Sequence, residues 1–309
     1  MRILFNVILI ASFFVFPACE KENETTSTLP TVEDLMKADR DISTFYSLVQ
    51  KAQLQSFLNG PGPFTWIAPD NSACIRAGIT PDSVVKMLPG TASFFVMYHL
   101  FNIKISSAEI TALTSTNRTT QGGQSLWLST DRTNYFINGA SITKADMEGQ
   151  NGIVHKVNGF FVPPQLKGNI QGMITSTGQH NTLIKALQKT GLWTALGTTT
   201  VFTILAPNDA AFIKAGITPE QIDLLSGAAL TGFTSRMRYH LFNVRMFSSD
   251  FRNGFTPGTI LGASRTIRVT NGGTDLTGSS IPAVTAKFVS TNSLGTNGVM
   301  HVTDNVLNP

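Results

Sequence analysis

This chain of 309 residues has only two cysteines, Cys19 and Cys74. If the first is modified, as its position suggests, the second has no partner, so the fold cannot rest on a disulfide framework. Charge is scarce too: Asp, Glu, Lys and Arg supply 14% of the residues, against roughly a quarter in average soluble proteins. Thr, Ser, Asn and Gly fill the deficit, which suits turn-rich, strand-containing extracytoplasmic domains. The net charge is +4 without a run of Lys and Arg, so the basic stripe that nucleic-acid binding needs is missing. Past the N-terminus no stretch reaches 18 consecutive apolar residues, which leaves no candidate membrane-spanning helix there. No Gly-x-Ser-x-Gly elbow, phosphate-binding glycine loop, dinucleotide fingerprint or His-Glu-x-x-His pair occurs. Nor does a carboxylate pair suggest glycoside hydrolysis. These absences point away from an enzyme: no catalytic residue, metal or cofactor is expected.

What is present begins with a targeting segment. Arg2 precedes an apolar stretch from Ile3 to Phe16, and Pro17-Ala18 then lead into Cys19. This is the layout of a signal peptide over residues 1–18. A cysteine directly after a small residue resembles a bacterial lipobox, with Cys19 as the lipid-bearing residue, although Phe16 stands where Leu is usual. The competing reading is an ordinary signal peptide with an incidental cysteine. Each buried methylene of an acyl chain contributes about 0.8 kcal/mol, so several chains on Cys19 would anchor firmly. Residues 19–30 then form the lipidated cysteine and a polar, Thr-rich tether. The acidic start of that tether resembles a surface-export signal, so the expected location is the outer membrane, lipid-anchored and exposed at the surface.

The remainder says the same thing twice. Phe64-Thr65-Trp66-Ile67-Ala68-Pro69 returns as Phe202-Thr203-Ile204-Leu205-Ala206-Pro207, an offset of 138. Tyr98-His99-Leu100-Phe101-Asn102 returns as Tyr239-His240-Leu241-Phe242-Asn243 at 141, and Asn151-Gly152-Ile153-Val154-His155 as Asn297-Gly298-Val299-Met300-His301 at 146. A slowly growing offset means two copies of one module with small insertions in the second. The period is too long for a solenoid repeat, so each copy is a whole domain. The first is placed at 31–166 and the second at 167–309, around the linker Pro163-Pro164-Gln165-Leu166-Lys167-Gly168.

Each copy opens with a helical pattern: Phe45, Leu48, Val49 and Ala52 in the first, Leu183, Ala186 and Leu187 in the second. A short strand follows and ends at Pro69 or Pro207, which cannot donate to a ladder. Asp70 and Asn208 are N-cap candidates for a short helix that carries Cys74 or Phe212. Cys74 therefore reads as a buried apolar position. Later come strand-like runs at Ser125–Thr130, Tyr135–Ile142, Thr266–Thr270 and Ala283–Val289, with a turn at Asn138-Gly139.

Three elements per copy resemble the fasciclin domain: Thr-x-x-Ala-Pro-x-x-x-Ala, the Tyr-His dipeptide and Asn-Gly-x-x-His, in order and twice. The resemblance covers about Leu35 to Pro309. It implies an α+β fold of two domains, each a β-wedge or sandwich of about seven strands with several packed helices. It also implies adhesion modules without general catalytic activity, whose partners are surface or matrix proteins, integrins in animals, and polysaccharides. The first copy has Asn158 where the second keeps the more usual Asp304, which puts a local hydrogen bond in doubt.

His99, His155, His240 and His301 are pairs by repeat, and no Cys, Asp or Glu joins them at metal-ligand spacing. Buried, backbone-bonded imidazoles are the preferred reading. In the resembling family the Tyr-His dipeptide is linked to partner recognition, which makes Tyr98, His99, Tyr239 and His240 candidates, with a purely structural role for the tyrosine rings as the competing reading. Trp127 and Tyr135 lack evident equivalents in the second copy and are candidates for stacking on a sugar or anchoring a protein. A core role for Trp127, which sits between two leucines, is the alternative. The expectation is a non-enzymatic, lipid-anchored adhesion protein, with an accessory glycan-binding lipoprotein of a polysaccharide uptake system as the second reading.

Overall fold

A computed structural model describes residues 29–112, 115–254, 256–270, 273–280 and 282–309, with the backbone alone over 263–266. The signal peptide, Cys19 and most of the tether lie outside the described residues. The rest is α+β, and the two halves repeat one architecture.

In the first half, strands β1 (Phe64–Pro69), β2 (Leu100–Phe101), β3 (Thr116–Thr119), β4 (Ser125–Thr130), β5 (Tyr135–Ile137), β6 (Ala140–Gly149) and β7 (Gly152–Val157) form one curled sheet in the order β2-β1-β7-β6-β5-β4-β3. β1 and β7 run parallel at its heart. Both faces are covered, so β1 reads as a continuous apolar run instead of alternating. Trp66 and Ala68 enter a core shared with the helix Ser43–Lys51, whose Phe45, Leu48 and Val49 are buried. Ile67 points the other way, into a second cluster with Tyr98, Phe101, Leu126 and Ile137.

The second half builds a six-stranded sheet from β8 (Phe202–Pro207), β9 (Leu241–Phe242), β12 (Arg268–Thr270), β13 (Asp275–Thr277), β14 (Thr285–Gly295) and β15 (Gly298–Thr303). A separate two-stranded ribbon, β10 (Gly258–Thr259) and β11 (Gly262–Thr266), stands beside it. Among the described residues the main sheet thus has the expected seven strands in the first half and six in the second, beside the ribbon. β14 also runs on to Gly295, six residues past the expected end at Val289. A bulge with Asn292 in the left-handed region (φ 63°) absorbs the kink and lets pairing with β15 continue. β6 does the same at Asp146 (φ 54°).

The local signals act as the sequence suggests. Asp70 accepts from Ala73 N–H and starts the helix Asn71–Arg76; Asn208 accepts from Ala211 N–H and starts Asp209–Lys214. Cys74 and Phe212, inside those helices, are fully buried at equivalent places. Asn151 and Asn297 do more than turn the chain. Asn151 accepts from Val32 N–H (3.0 Å) and donates to the Leu58 (2.6 Å) and Gly60 (3.0 Å) carbonyls. Asn297 repeats this with Ile170, Leu196 and Thr198. Each side chain clasps to the strand entrance a helix that precedes the expected opening one, Val32–Ala38 in the first domain and Ile170–Ser176 in the second. The glycine after it lies so close to the neighbouring strand that a Cβ would run into the Phe64 or Phe202 carbonyl oxygen.

Candidate functional site

The Tyr-His candidates are interior groups. Tyr98, His99, Tyr239 and His240 are all buried. His99 Nδ1 faces the Phe95 carbonyl (2.9 Å) while Nε2 accepts from Phe161 N–H (3.1 Å). His240 repeats this with Arg236 O (2.9 Å) and Leu307 N–H (3.0 Å). The backbone donor fixes the tautomer: Nδ1 carries the proton and Nε2 is the acceptor. His155 and His301 hold the reverse tautomer, accepting at Nδ1 from the bulge residues Asp146 and Asn292 and donating from Nε2 to Ile105 O (2.7 Å) and Met246 O (3.0 Å). Burial lowers the pKa of His99, His240 and His301 to about 4, and that of His155 in the same direction. All four imidazoles are therefore neutral with both nitrogens engaged, which leaves them no lone pair for a metal and no proton to exchange at neutral pH. Among the described residues no group of three or more His, Cys, Asp and Glu could hold a metal ion. Burial also pushes the Cys74 thiol up to about 12, far from a nucleophilic thiolate.

The tyrosine hydroxyls tie the dipeptide to the far side of each sheet. Tyr98 donates to Ser125 O (3.0 Å), and Tyr239 accepts from Ser279 N–H (3.1 Å). Thr65 and Thr203 complete the shared framework. Each donates to a carbonyl at 2.6 Å (Ile103 or Val244) and accepts an N–H at 2.8 Å (Ile105 or Met246).

Trp127 and Tyr135 are not brought together. Leu128 pairs with Ile137 and Thr130 with Tyr135, so Tyr135 shares the inner face of the sheet and packs partly buried against the second cluster. Trp127 lies between Leu126 and Leu128 on β4 and projects from the opposite face. There the second domain covers it: Phe247 approaches with ring centroids 5.9 Å apart, and the Arg245 guanidinium sits 4.4 Å above the indole.

Around this pair the 245–252 loop is fastened to the first domain. Asp250 accepts from Phe247 N–H (2.8 Å) within its own loop and from Ser115 Oγ (3.1 Å) across the junction. Burial raises its pKa despite those bonds. Arg252 donates to Thr130 O (3.2 Å), and Ser248 donates to Gly139 O (3.3 Å). Gly139 has φ 76°, and a Cβ there would meet the Asn292 side chain at 2.6 Å, so the hairpin turn is shaped both by its dihedral and by its neighbour. Sequence reasoning missed Arg245, Phe247 and Asp250. The signal was there: at the offset of 141, small polar Ser106 becomes Phe247 within an otherwise parallel segment.

Comparison with known proteins follows the same division. A model of the fasciclin domain matches residues 40–163 and again 178–309. The transforming growth factor-beta-induced protein ig-h3 of Sus scrofa is 28% identical over 270 residues, covering 83% of this chain and 36% of that protein. Periostin of Homo sapiens is 26% identical over 270 residues, covering 84% and 30%. The chain thus spans about a third of the length of these relatives. A solved FAS1 domain pair from the insect cell adhesion molecule Fasciclin I is similar at 18% identity with a TM-score of 0.41, over 87% of this chain and 97% of that one.

Proposed function

The chain belongs to the fasciclin family, as two domains in tandem, and from that premise we propose a non-enzymatic binding protein of the cell surface that acts in adhesion or matrix contact. Its anchor in this reading is a lipid on Cys19, which places it on the outer membrane with both domains exposed and a surface or matrix protein as partner. The observation that carries the reading is the use made of the repeated polar residues. The histidines, tyrosines and threonines that recur in both copies serve the interior of each domain, and this leaves recognition to surfaces that differ between the copies. Tyr98 and Tyr239 then act on a partner only through the surfaces they support. Among the described residues no helix is long and apolar enough to cross a membrane; the attachment in this proposal is the N-terminal lipid.

Two measurements test it. Radiolabelled palmitate is expected to enter the wild-type protein, and Cys19→Ser is expected to abolish labelling and release the protein from membranes. Absence of label in the wild type removes the anchor. Cells lacking the protein are expected to adhere less to the matrix that their parent binds, with recovery on re-expression; unchanged adhesion removes the role.

A further inference from the structure

An open cleft of about 590 Å3 runs between the domains. Arg76, Asn138 and Phe160 line it from one side, and Lys167, Asn292 and Ser293 from the other; no Asp or Glu is among its lining residues. Arg76 donates to the Asn158 carbonyl at 2.8 Å, and the Lys167 ammonium to Ser293 Oγ at 3.4 Å. Neither cation belongs to an ion pair among the described residues. Burial lowers the pKa of Lys167, as expected of an ammonium that has lost hydration without gaining a carboxylate.

The second domain shows what is missing. Lys214 stands where Arg76 stands, and Asp304 where Asn158 stands. Lys214 reaches both the carbonyl (3.5 Å) and the carboxylate (3.4 Å) of Asp304. The structural bond of that residue is the same in both copies: Asn158 Oδ1 accepts from Ser141 N–H at 2.8 Å, and Asp304 Oδ1 from Lys287 N–H at 2.6 Å. Exchanging the acid for an amide therefore keeps the fold and deletes one negative charge, at the single copy whose cation borders the cleft.

We propose that this cleft binds a carboxylate-bearing saccharide. Arg76 and Lys167 take the carboxylate, since two cations in a recess of one sign concentrate an anion. The half-buried Phe160 ring, packed against Phe95 and His99, offers its remaining apolar surface to the sugar. The Ser293 hydroxyl, which accepts from Lys167, keeps its proton for a sugar hydroxyl, while the Asn138 and Asn292 amides, held by Trp127 N–H and by Ser248, shape the wall. The same lining gives a long apolar side chain little to bury against, which disfavours a hydrophobic peptide. This site rests on the cleft alone, so its failure leaves the anchor and the adhesion role standing.

Isothermal titration of the purified full chain with trigalacturonate at low salt tests it, with maltotriose and sulfate as comparators. Trigalacturonate is expected to bind about tenfold or more tighter than maltotriose, and added salt to weaken it. Arg76→Gln and Lys167→Gln are each expected to weaken it about tenfold. Asn158→Asp should weaken it as well by installing the ion pair of the second domain, with the thermal midpoint unchanged, because Asp304 already shows that an aspartate makes the structural bond. Binding that is absent, or indifferent to all three substitutions, overturns the site. Sulfate binding as tightly as trigalacturonate overturns the saccharide assignment.

Discussion

The two domains share their interior and differ at their edges. Thr65, His99, Asn151 and His155 have counterparts in Thr203, His240, Asn297 and His301 that make the same backbone bonds. The loop after the second strand of each sheet has diverged. In the first domain it satisfies itself: Lys104 pairs with Glu148 at 2.8 Å, and Glu109 caps Ser106 N–H at 2.6 Å. In the second, Arg245, Phe247 and Asp250 occupy the corresponding places and face outward onto the first domain. Duplication with a fixed framework thus lets one loop become a docking element while its twin stays free. Residues common to both copies report the fold, and residues that differ report what each copy is for.

The largest effect should come from a condition that strikes the shared framework in both domains at once. The neutral imidazoles of His99, His240 and His301 have native pKa values of about 4, against 6.5 for the free side chain. The unfolded chain takes up protons below about 6.5 and the folded chain does not, so their stabilisation is fully present above that pH. It is lost progressively as pH falls towards 4. A loss of several kcal/mol across this window is expected, followed by tryptophan fluorescence in denaturant at stepped pH. Because both domains hold such histidines, both should weaken over the same window. One domain surviving intact at pH 4 while the other unfolds would break their equivalence.

A smaller effect is expected where the domains differ. Trp127→Ala removes the indole between Arg245 and Phe247, a loss of about 1–3 kcal/mol of aromatic and cation–π contact. That loss should fall on the coupling between domains. Calorimetry is expected to show one unfolding transition for the wild type and two for the variant. Tyr135→Ala, on the inner face of the same hairpin, should lower the first transition and leave the coupling alone. If the two variants behave alike, the junction is not where Trp127 acts.

How much of this was legible in the sequence follows from range. The amphipathic helix 43–51, the strand stopped at Pro69 and the cap at Asp70 are set by neighbours within one turn or one pairing, so local patterning exposes them. Burial of the histidines was legible because the duplicate marked them as framework. The bulges at Asp146 and Asn292 were not: Asp and Asn tolerate the left-handed region wherever they stand, and nothing local marks these two as presenting an N–H to a histidine nine positions later. Trp127 is the instructive case. Alternation with Leu126 and Leu128 excludes it from their face of the strand, but only the folded pair shows that a second domain, not solvent or a ligand, covers it.

The smallest effect should sharpen the comparison most finely. Asp304→Asn turns the second domain into the first at one position, leaving Lys214 as unneutralised as Arg76. Lys214 and Asp304 are both well exposed and 3.4 Å apart, so water and salt already screen their attraction, and such pairs contribute up to about 1 kcal/mol. The bond to Lys287 N–H should survive, because Asn158 makes its equivalent with an amide. Denaturant unfolding is therefore expected to show a loss below about 1 kcal/mol that shrinks further at high salt. A loss of several kcal/mol, insensitive to salt, would mean that the carboxylate supports the second domain in a way the amide does not support the first. The exchange at this position would then reflect a structural demand particular to each copy, and the open charge of Arg76 would be its by-product instead of its purpose.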